Sequence, residues 1–175
     1  MPPRLIVMAG LAGTGKSTLA RELARRLHIP MFSVDPIESA IVESGIPRSF
    51  ETGLAAYLVA RALADAQLTA GGDAIVDAVN AEEEGKDMWR TLAREHGLTP
   101  HIIECHCSDE LLHRTRLAER QRGLAIPEPT WDDVERRRHA YTPWTETLLA
   151  VDATASLEAN VAKALAWLSY RDQLR

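Results

Sequence analysis

The residues with the clearest chemical capacity lie near the start of the chain. Gly10-Leu11-Ala12-Gly13-Thr14-Gly15-Lys16-Ser17 has the spacing G-x-x-x-x-G-K-[ST] and directly follows the apolar run Leu5-Ile6-Val7-Met8-Ala9. Spaced glycines let successive backbone N–H groups turn toward one anion, and a helix that starts at such a loop adds the positive end of its dipole. In that arrangement Gly10, Ala12, Gly13, Thr14, Gly15, Lys16, Ser17 and Thr18 cradle nucleotide phosphates. Lys16 neutralises the β- and γ-phosphates, and the Ser17 hydroxyl ligates Mg²⁺.

Two aspartates come next. Met31-Phe32-Ser33-Val34 reads as a short strand ending at Asp35-Pro36, and Asp73-Ala74-Ile75-Val76-Asp77-Ala78 reads as another, closed by Asp77. Ligands of open parallel sheets bind outside the carboxyl ends of the strands, so both acids face the crevice that holds the phosphate loop. Asp35 is expected to act as a functional carboxylate, with an N-cap for a helix from Pro36 as its structural alternative. Asp77 is expected either to hold Mg²⁺ through water or to start the helix that runs from Ala81 to Gly97. Asn80, just after it, could orient an acceptor.

A third group is basic. The helix expected over Leu111 to Arg122 carries Arg114, Arg116, Arg120 and Arg122 to the mouth of a loop, Gly123 to Thr130. Arginine's planar fork binds phosphoryl oxygens in pairs, and closure of a loop that carries it excludes water. Arg120 and Arg122, nearest the loop, are read as functional. Arg114 is read as an ordinary face residue beside Glu110. Trp131 and Trp144 bracket the next helix as core residues, with stacking on a ligand as the alternative.

The elements that must position these groups alternate. Helical spacing of Leu19, Leu23 and Leu27 predicts a helix after the loop. A further helix is predicted from Pro47 to Ala70, with Leu54, Tyr57, Leu58, Leu63 and Leu68 on one side. Arg48, Tyr57 and Arg61 on this stretch are secondary candidates for substrate contact. His101 to Cys107 and Leu148 to Asp152 complete five strands, Ser108 caps the helix after the fourth, and Ser156 begins the last helix. The expected fold is α/β: a three-layer sandwich whose central five-stranded parallel sheet carries helices on both faces, with a small arginine-bearing lid at about 120–142. The 175 residues suit a single domain.

With 20 basic and 25 acidic residues the net charge is −5, which disfavours polyanionic partners such as nucleic acid. No apolar run reaches the ~20 residues of a membrane span. Met1-Pro2-Pro3-Arg4 leads straight into the first strand, so a cytoplasmic enzyme is expected. Cys105 and Cys107 sit two apart in one strand with parallel side chains, a poor geometry for a disulfide.

Together the phosphate loop, Ser33-Val34-Asp35, Ile75-Val76-Asp77 and Arg116-Leu117-Ala118-Glu119-Arg120 make the chain resemble the small P-loop kinases nearly end to end. More closely it resembles the bacterial ATP-binding kinases related to chloramphenicol phosphotransferase, the zeta toxins and the kinase half of phage polynucleotide kinases. The resemblance implies MgATP as cofactor, with Asp35 taking the proton of an acceptor hydroxyl. It implies phosphate contacts from Arg116, Arg120 and Arg122. The acceptor expected is a small antibiotic-, sugar- or nucleoside-like molecule, with a polynucleotide 5′-hydroxyl as the alternative. A switch-type GTPase needs a guanine-reading N-K-x-D tetrad, and none is present.

Overall fold

The computed structural model describes residues 2–173. Five strands, β1 (Leu5–Ala9), β2 (Met31–Ser33), β3 (Ala74–Asp77), β4 (His101–His106) and β5 (Leu148–Asp152), pair in parallel in the order β2-β3-β1-β4-β5. Seven helices separate and follow them: α1 (Lys16–Leu27), α2 (Val34–Glu43), α3 (Phe50–Thr69), α4 (Glu83–Glu95), α5 (Glu110–Ala118), α6 (Trp131–Ala140) and α7 (Leu157–Asp172). This is the α/β architecture of a P-loop NTPase.

β1 is central and wholly buried, as a parallel strand covered on both faces must be. Alternate residues serve opposite layers. Leu5, Val7 and Ala9 join Ala56, Ala60, Trp89 and Leu92 in one core. Ile6 and Met8 join Leu19, Leu23, Val161 and Leu168 in the other. Because the chain leaves β1 toward β2 and β3 on one side and later returns to β4 on the other, the crevice opens at the carboxyl end of β1. The phosphate loop begins there.

Gly10 is what allows that exit. Its φ is +131°, and a Cβ would lie 2.2 Å from the Cys105 carbonyl oxygen of the neighbouring strand end. Its own N–H donates to the Val79 carbonyl, 3.1 Å away. Gly10 is therefore the glycine that packs against β4 where the loop leaves β1.

Several boundaries also differ from the periodicity reading. α2 begins at Val34, one residue after β2, so Asp35 lies in its first turn and Ser33 takes the N-cap position. Asp109, not Ser108, caps α5, accepting from Leu112 N at 2.9 Å. α5 stops at Ala118, which leaves Arg120 and Arg122 on irregular chain. α3 starts only at Phe50, where Ser49 and Thr52 form a capping box. It turns alanines inward, with Ala56, Ala60 and Ala64 buried, whereas Leu54, Leu58 and Leu63 are 43%, 51% and 44% exposed. Small residues let α3 approach the sheet closely, and this closeness overrides the larger apolar side chains. Arg61 pairs with Glu95 on α4 at 2.5 Å and Arg48 with Glu38 at 3.2 Å. Among the described residues no helix is long and apolar enough to cross a membrane.

Asn80 is structural. It holds φ +52°, donates from Nδ2 to the Met8 carbonyl at 2.8 Å, and accepts from Trp89 Nε1 at 2.8 Å. The side chain thus ties β1 to α4 from inside the core and cannot orient an acceptor. Asn80→Ala should lower the unfolding free energy by about 3 kcal/mol, since it removes two buried hydrogen bonds and puts a Cβ-bearing apolar residue in the left-handed region. Asn80→Gly should recover about 1 kcal/mol of that loss in urea denaturation, which separates the backbone contribution from the side-chain one.

Candidate active site

The loop between β1 and α1 forms the floor of a cleft of about 800 Å³. Leu11 through Thr18 line it, and so do Ser33, Asp35, Arg116, Arg120 and Arg122. Of the residues read from sequence as phosphate-binding, catalytic or lid groups, all but Gly10 share this one space. Asp77 lies just behind the cleft wall and is buried.

Lys16 points back toward the sheet. Its Nζ lies 2.6 Å from Asp77 Oδ1 and 3.5 Å from Ser17 Oγ, while Ser33 Oγ donates to Asp77 Oδ2 at 2.8 Å. The register of β3 between β1 and β2 sets this geometry, because Asp77 pairs with Met8 on one side and Ser33 on the other. Burial pushes the Asp77 carboxyl up, but the Lys16 ammonium and hydrogen bonds from Lys16, Ser17 and Ser33 outweigh it and hold the carboxyl below the ordinary carboxylate value. Asp77 does not cap α4, whose N-cap is Glu82.

The side of the cleft that follows α5 is built on a carboxylate pair, Asp35 and Glu128. Arg122 binds Asp35 through Nη1 and Glu128 through Nε at 2.9 Å. Arg120 lies 3.9 Å from Asp35 and 3.6 Å from Glu128. Glu128 was not evident from sequence, where it stood among loop residues, yet it also accepts from the Arg122 backbone N–H at 3.0 Å and so orders the turn after α5. Arg120 Nη1 is buried without a hydrogen-bond partner among the described residues. Burial, then the neighbouring Arg122, push its pKa below the ordinary arginine value. A guanidinium left so, on the wall of a cleft, favours an incoming anion.

Arg116 reaches the far side of the loop and donates to the Ala153 carbonyl at 2.8 Å. Arg114 pairs with Glu110 at 2.8 Å and stacks on Trp131, its guanidinium 4.1 Å from the ring centroid. Trp144 is core. Tyr57 has its hydroxyl 3.5 Å from the Asn80 backbone N–H, and burial pushes that hydroxyl up to about 12.

Asp77→Asn should destabilise the ligand-free protein by about 3 kcal/mol at pH 7, because it leaves the buried Lys16 ammonium uncompensated. The folded carboxyl titrates below its unfolded value of about 3.9, so its contribution is present above that pH and fades as pH falls through the folded value. Urea unfolding at pH 7 and pH 3 should therefore show a large difference between wild type and variant at the first pH and a smaller one at the second.

A model of the AAA domain family matches residues 5–141. No curated protein matches the chain. Among solved structures the fold is shared with a protein from Chloroflexus aurantiacus j-10-fl classed provisionally as a kinase, at 24% identity and a TM-score of 0.73, covering 98% of this chain and 97% of that one. It is shared with a gluconokinase from Sinorhizobium meliloti 1021 at 20% identity and TM-score 0.67, covering 97% and 93%. It is shared too with the APS kinase of Mycobacterium tuberculosis in complex with AMPPNP and APS, at 16% identity and TM-score 0.67, covering 96% and 98%. These likenesses carry the fold, and the family match spans most of the chain. With its glycine-rich loop at the end of a central parallel strand, the chain belongs to the AAA domain family.

Proposed function

We propose that the protein is an ATP-dependent kinase that transfers the γ-phosphoryl group to a hydroxyl of a small molecule. One observation carries this reading: the phosphate loop with Lys16, the carboxylate Asp35 and the arginines Arg116, Arg120 and Arg122 line a single cleft. Similar folds in a gluconokinase and in an APS kinase that binds AMPPNP support it.

The backbone N–H groups from Gly13 to Thr18 would hold the β- and γ-phosphates, with Lys16 swinging from Asp77 to meet them. Hard cations take oxygen donors, and the cleft-lining Ser17 hydroxyl with the Asp77 carboxylate behind it would hold Mg²⁺, whose charge offsets that of the phosphates. Asp35 would accept the proton of the acceptor hydroxyl as that oxygen bonds to the γ-phosphorus and the bond to the ADP oxygen breaks. For this, Asp35 must exchange its contact with Arg122 for the hydroxyl, and the freed arginine meets the phosphoryl oxygens. Closure of the Arg120–Arg122 turn would exclude water.

The acceptor end of the cleft is polar. Asp35, Arg120, Gln121 and Arg122 line it with Pro36 and Leu124, while Leu54 and Leu58 on α3 point to solvent. That favours a sugar-like alcohol over an apolar antibiotic. The net charge of −5 weighs against a polynucleotide, whose backbone calls for a basic channel.

Lys16→Ala should abolish turnover without loss of fold by circular dichroism. Asp35→Asn should keep ATP affinity within a few-fold and slow transfer by roughly 10²-fold or more. Loss of ATP affinity with transfer retained would instead make Asp35 a structural or metal-side group. Arg120→Ala and Arg122→Ala should each lower kcat more than they raise KM for ATP, with Arg61→Ala on α3 as the unaffected control. Labelled ATP supplied with sugar acids, sugars, nucleosides and 5′-hydroxyl oligonucleotides decides the acceptor class. Efficient end-labelling that falls steeply with salt would overturn the small-molecule reading.

A further inference from the structure

We propose that His113 is a positioning residue for the phosphate loop, locking the Ala12–Gly13 peptide so that its N–H faces the anion. His113 sits on α5, a hundred residues along the chain from the loop, and is 2% exposed. Its Nε2 lies 2.7 Å from the Ala12 carbonyl oxygen. A carbonyl oxygen only accepts, so the ring carries its proton on Nε2 and donates it there.

The Cδ2–Nε2 edge of the ring also lies close against the next residue. A Cβ on Gly13 would come 2.9 Å from His113 Cδ2 and 3.1 Å from Nε2, so only glycine admits the imidazole at this distance. On its other side the ring meets Trp131 edge to face, centroids 5.1 Å apart. The guanidiniums of Arg138 and Arg114 sit 5.1 Å and 4.1 Å from the centroid of that indole. The imidazole is thus held in one orientation by α5, α6 and the loop together.

The consequence follows from peptide geometry. The peptide bonds described are trans, so the Gly13 N–H points opposite to the Ala12 carbonyl. With that carbonyl drawn outward to His113, the N–H is directed into the cleft that Gly13 lines. The preceding carbonyl is tied off as well, since Leu11 O accepts from Thr14 Oγ1 at 2.8 Å. Gly13 has φ +82°, and a glycine flanking a peptide lets that peptide rotate at low cost. A rotated Ala12–Gly13 unit would present a carbonyl oxygen to a phosphate, replacing a donor with a repulsive partial charge. The glycine that permits the cradle therefore needs an external lock, and His113 supplies it.

This inference rests on the nucleotide-binding reading of the cleft, and the test separates the two. ADP, pyrophosphate and adenosine are titrated against wild type, His113→Phe and His113→Gln. Phenylalanine keeps the ring packing on Gly13 and Trp131 but has no donor, whereas the glutamine amide nitrogen replaces Nε2. His113→Phe should weaken ADP and pyrophosphate about tenfold and leave adenosine unchanged, and His113→Gln should restore both to within about twofold. Equal binding of ADP by wild type and the phenylalanine variant, or equal weakening of ADP and adenosine, would overturn the positioning role alone. A wild type that binds neither ADP nor pyrophosphate would overturn the nucleotide reading and this inference with it. Long-range ¹H–¹⁵N spectra of the wild-type imidazole give a readout independent of any variant. An Nε2–H ring is expected, and an Nδ1–H ring would overturn the proposal.

Discussion

A lysine ammonium at the base of a phosphate cradle needs a counter-charge whether or not a nucleotide is present. Asp77 supplies it, and much of the surrounding structure serves that pairing. Lys16 opens α1 and Asp77 closes β3, so their 2.6 Å contact requires β3 to lie directly beside β1. Ser33 at the end of β2 takes the second carboxylate oxygen, which places β2 at the edge in register with β3. The order of the sheet and the charge balance of the site are in this sense one arrangement. A buried ion pair contributes little net stability against its desolvation, but breaking it by removing one partner is costly. Lys16 can therefore leave the pair only as another cation takes its place beside the buried Asp77 carboxylate.

The same logic recurs across the cleft with the signs reversed. Asp35 and Glu128 are the acids, and Arg120 and Arg122 the bases, so the carboxylate at the start of α2 is held by the turn that follows α5. Two arginines gathered on two carboxylates tie the turn after α5 to the start of α2. Arg120 nonetheless keeps one buried nitrogen without a partner among the described residues. The cleft has positive capacity in excess of its own acids, which suits a ligand bearing several negative charges.

The loop itself is controlled from outside. Gly10 clears the Cys105 carbonyl, Thr14 ties back Leu11, and His113 ties back Ala12. Glycines make the conformation accessible, and these contacts select it. The pattern of glycine spacing describes the freedom of the loop, while residues from β4 and α5 remove that freedom.

What the amino-acid sequence determined by itself was local. The run Leu5 to Ala9, the glycine spacing and the amphipathic Leu19, Leu23 and Leu27 specify strand, loop and helix through nearest-neighbour chemistry, and strand-helix alternation then implies a parallel sheet. The placement of Asp35, Asp77, Arg116, Arg120 and Arg122 around one cleft was legible for the same reason, since strand ends and the chain just after a helix lie on one edge of such a sheet. Only the tertiary structure decided which partners these residues take. Asn80 became a core tether because β1 and α4 converge on it, and Glu128 became a second acid for Arg120 and Arg122 because the chain folds back over α2. His113 reached Ala12 because α5 packs over the loop. Leu54 and Leu58 face solvent because alanines let α3 sit closer to the sheet than leucines could. Each is a contact between residues distant in sequence, and periodicity, which reports only which face a residue shares with its neighbours along the chain, carries no record of what that face will meet.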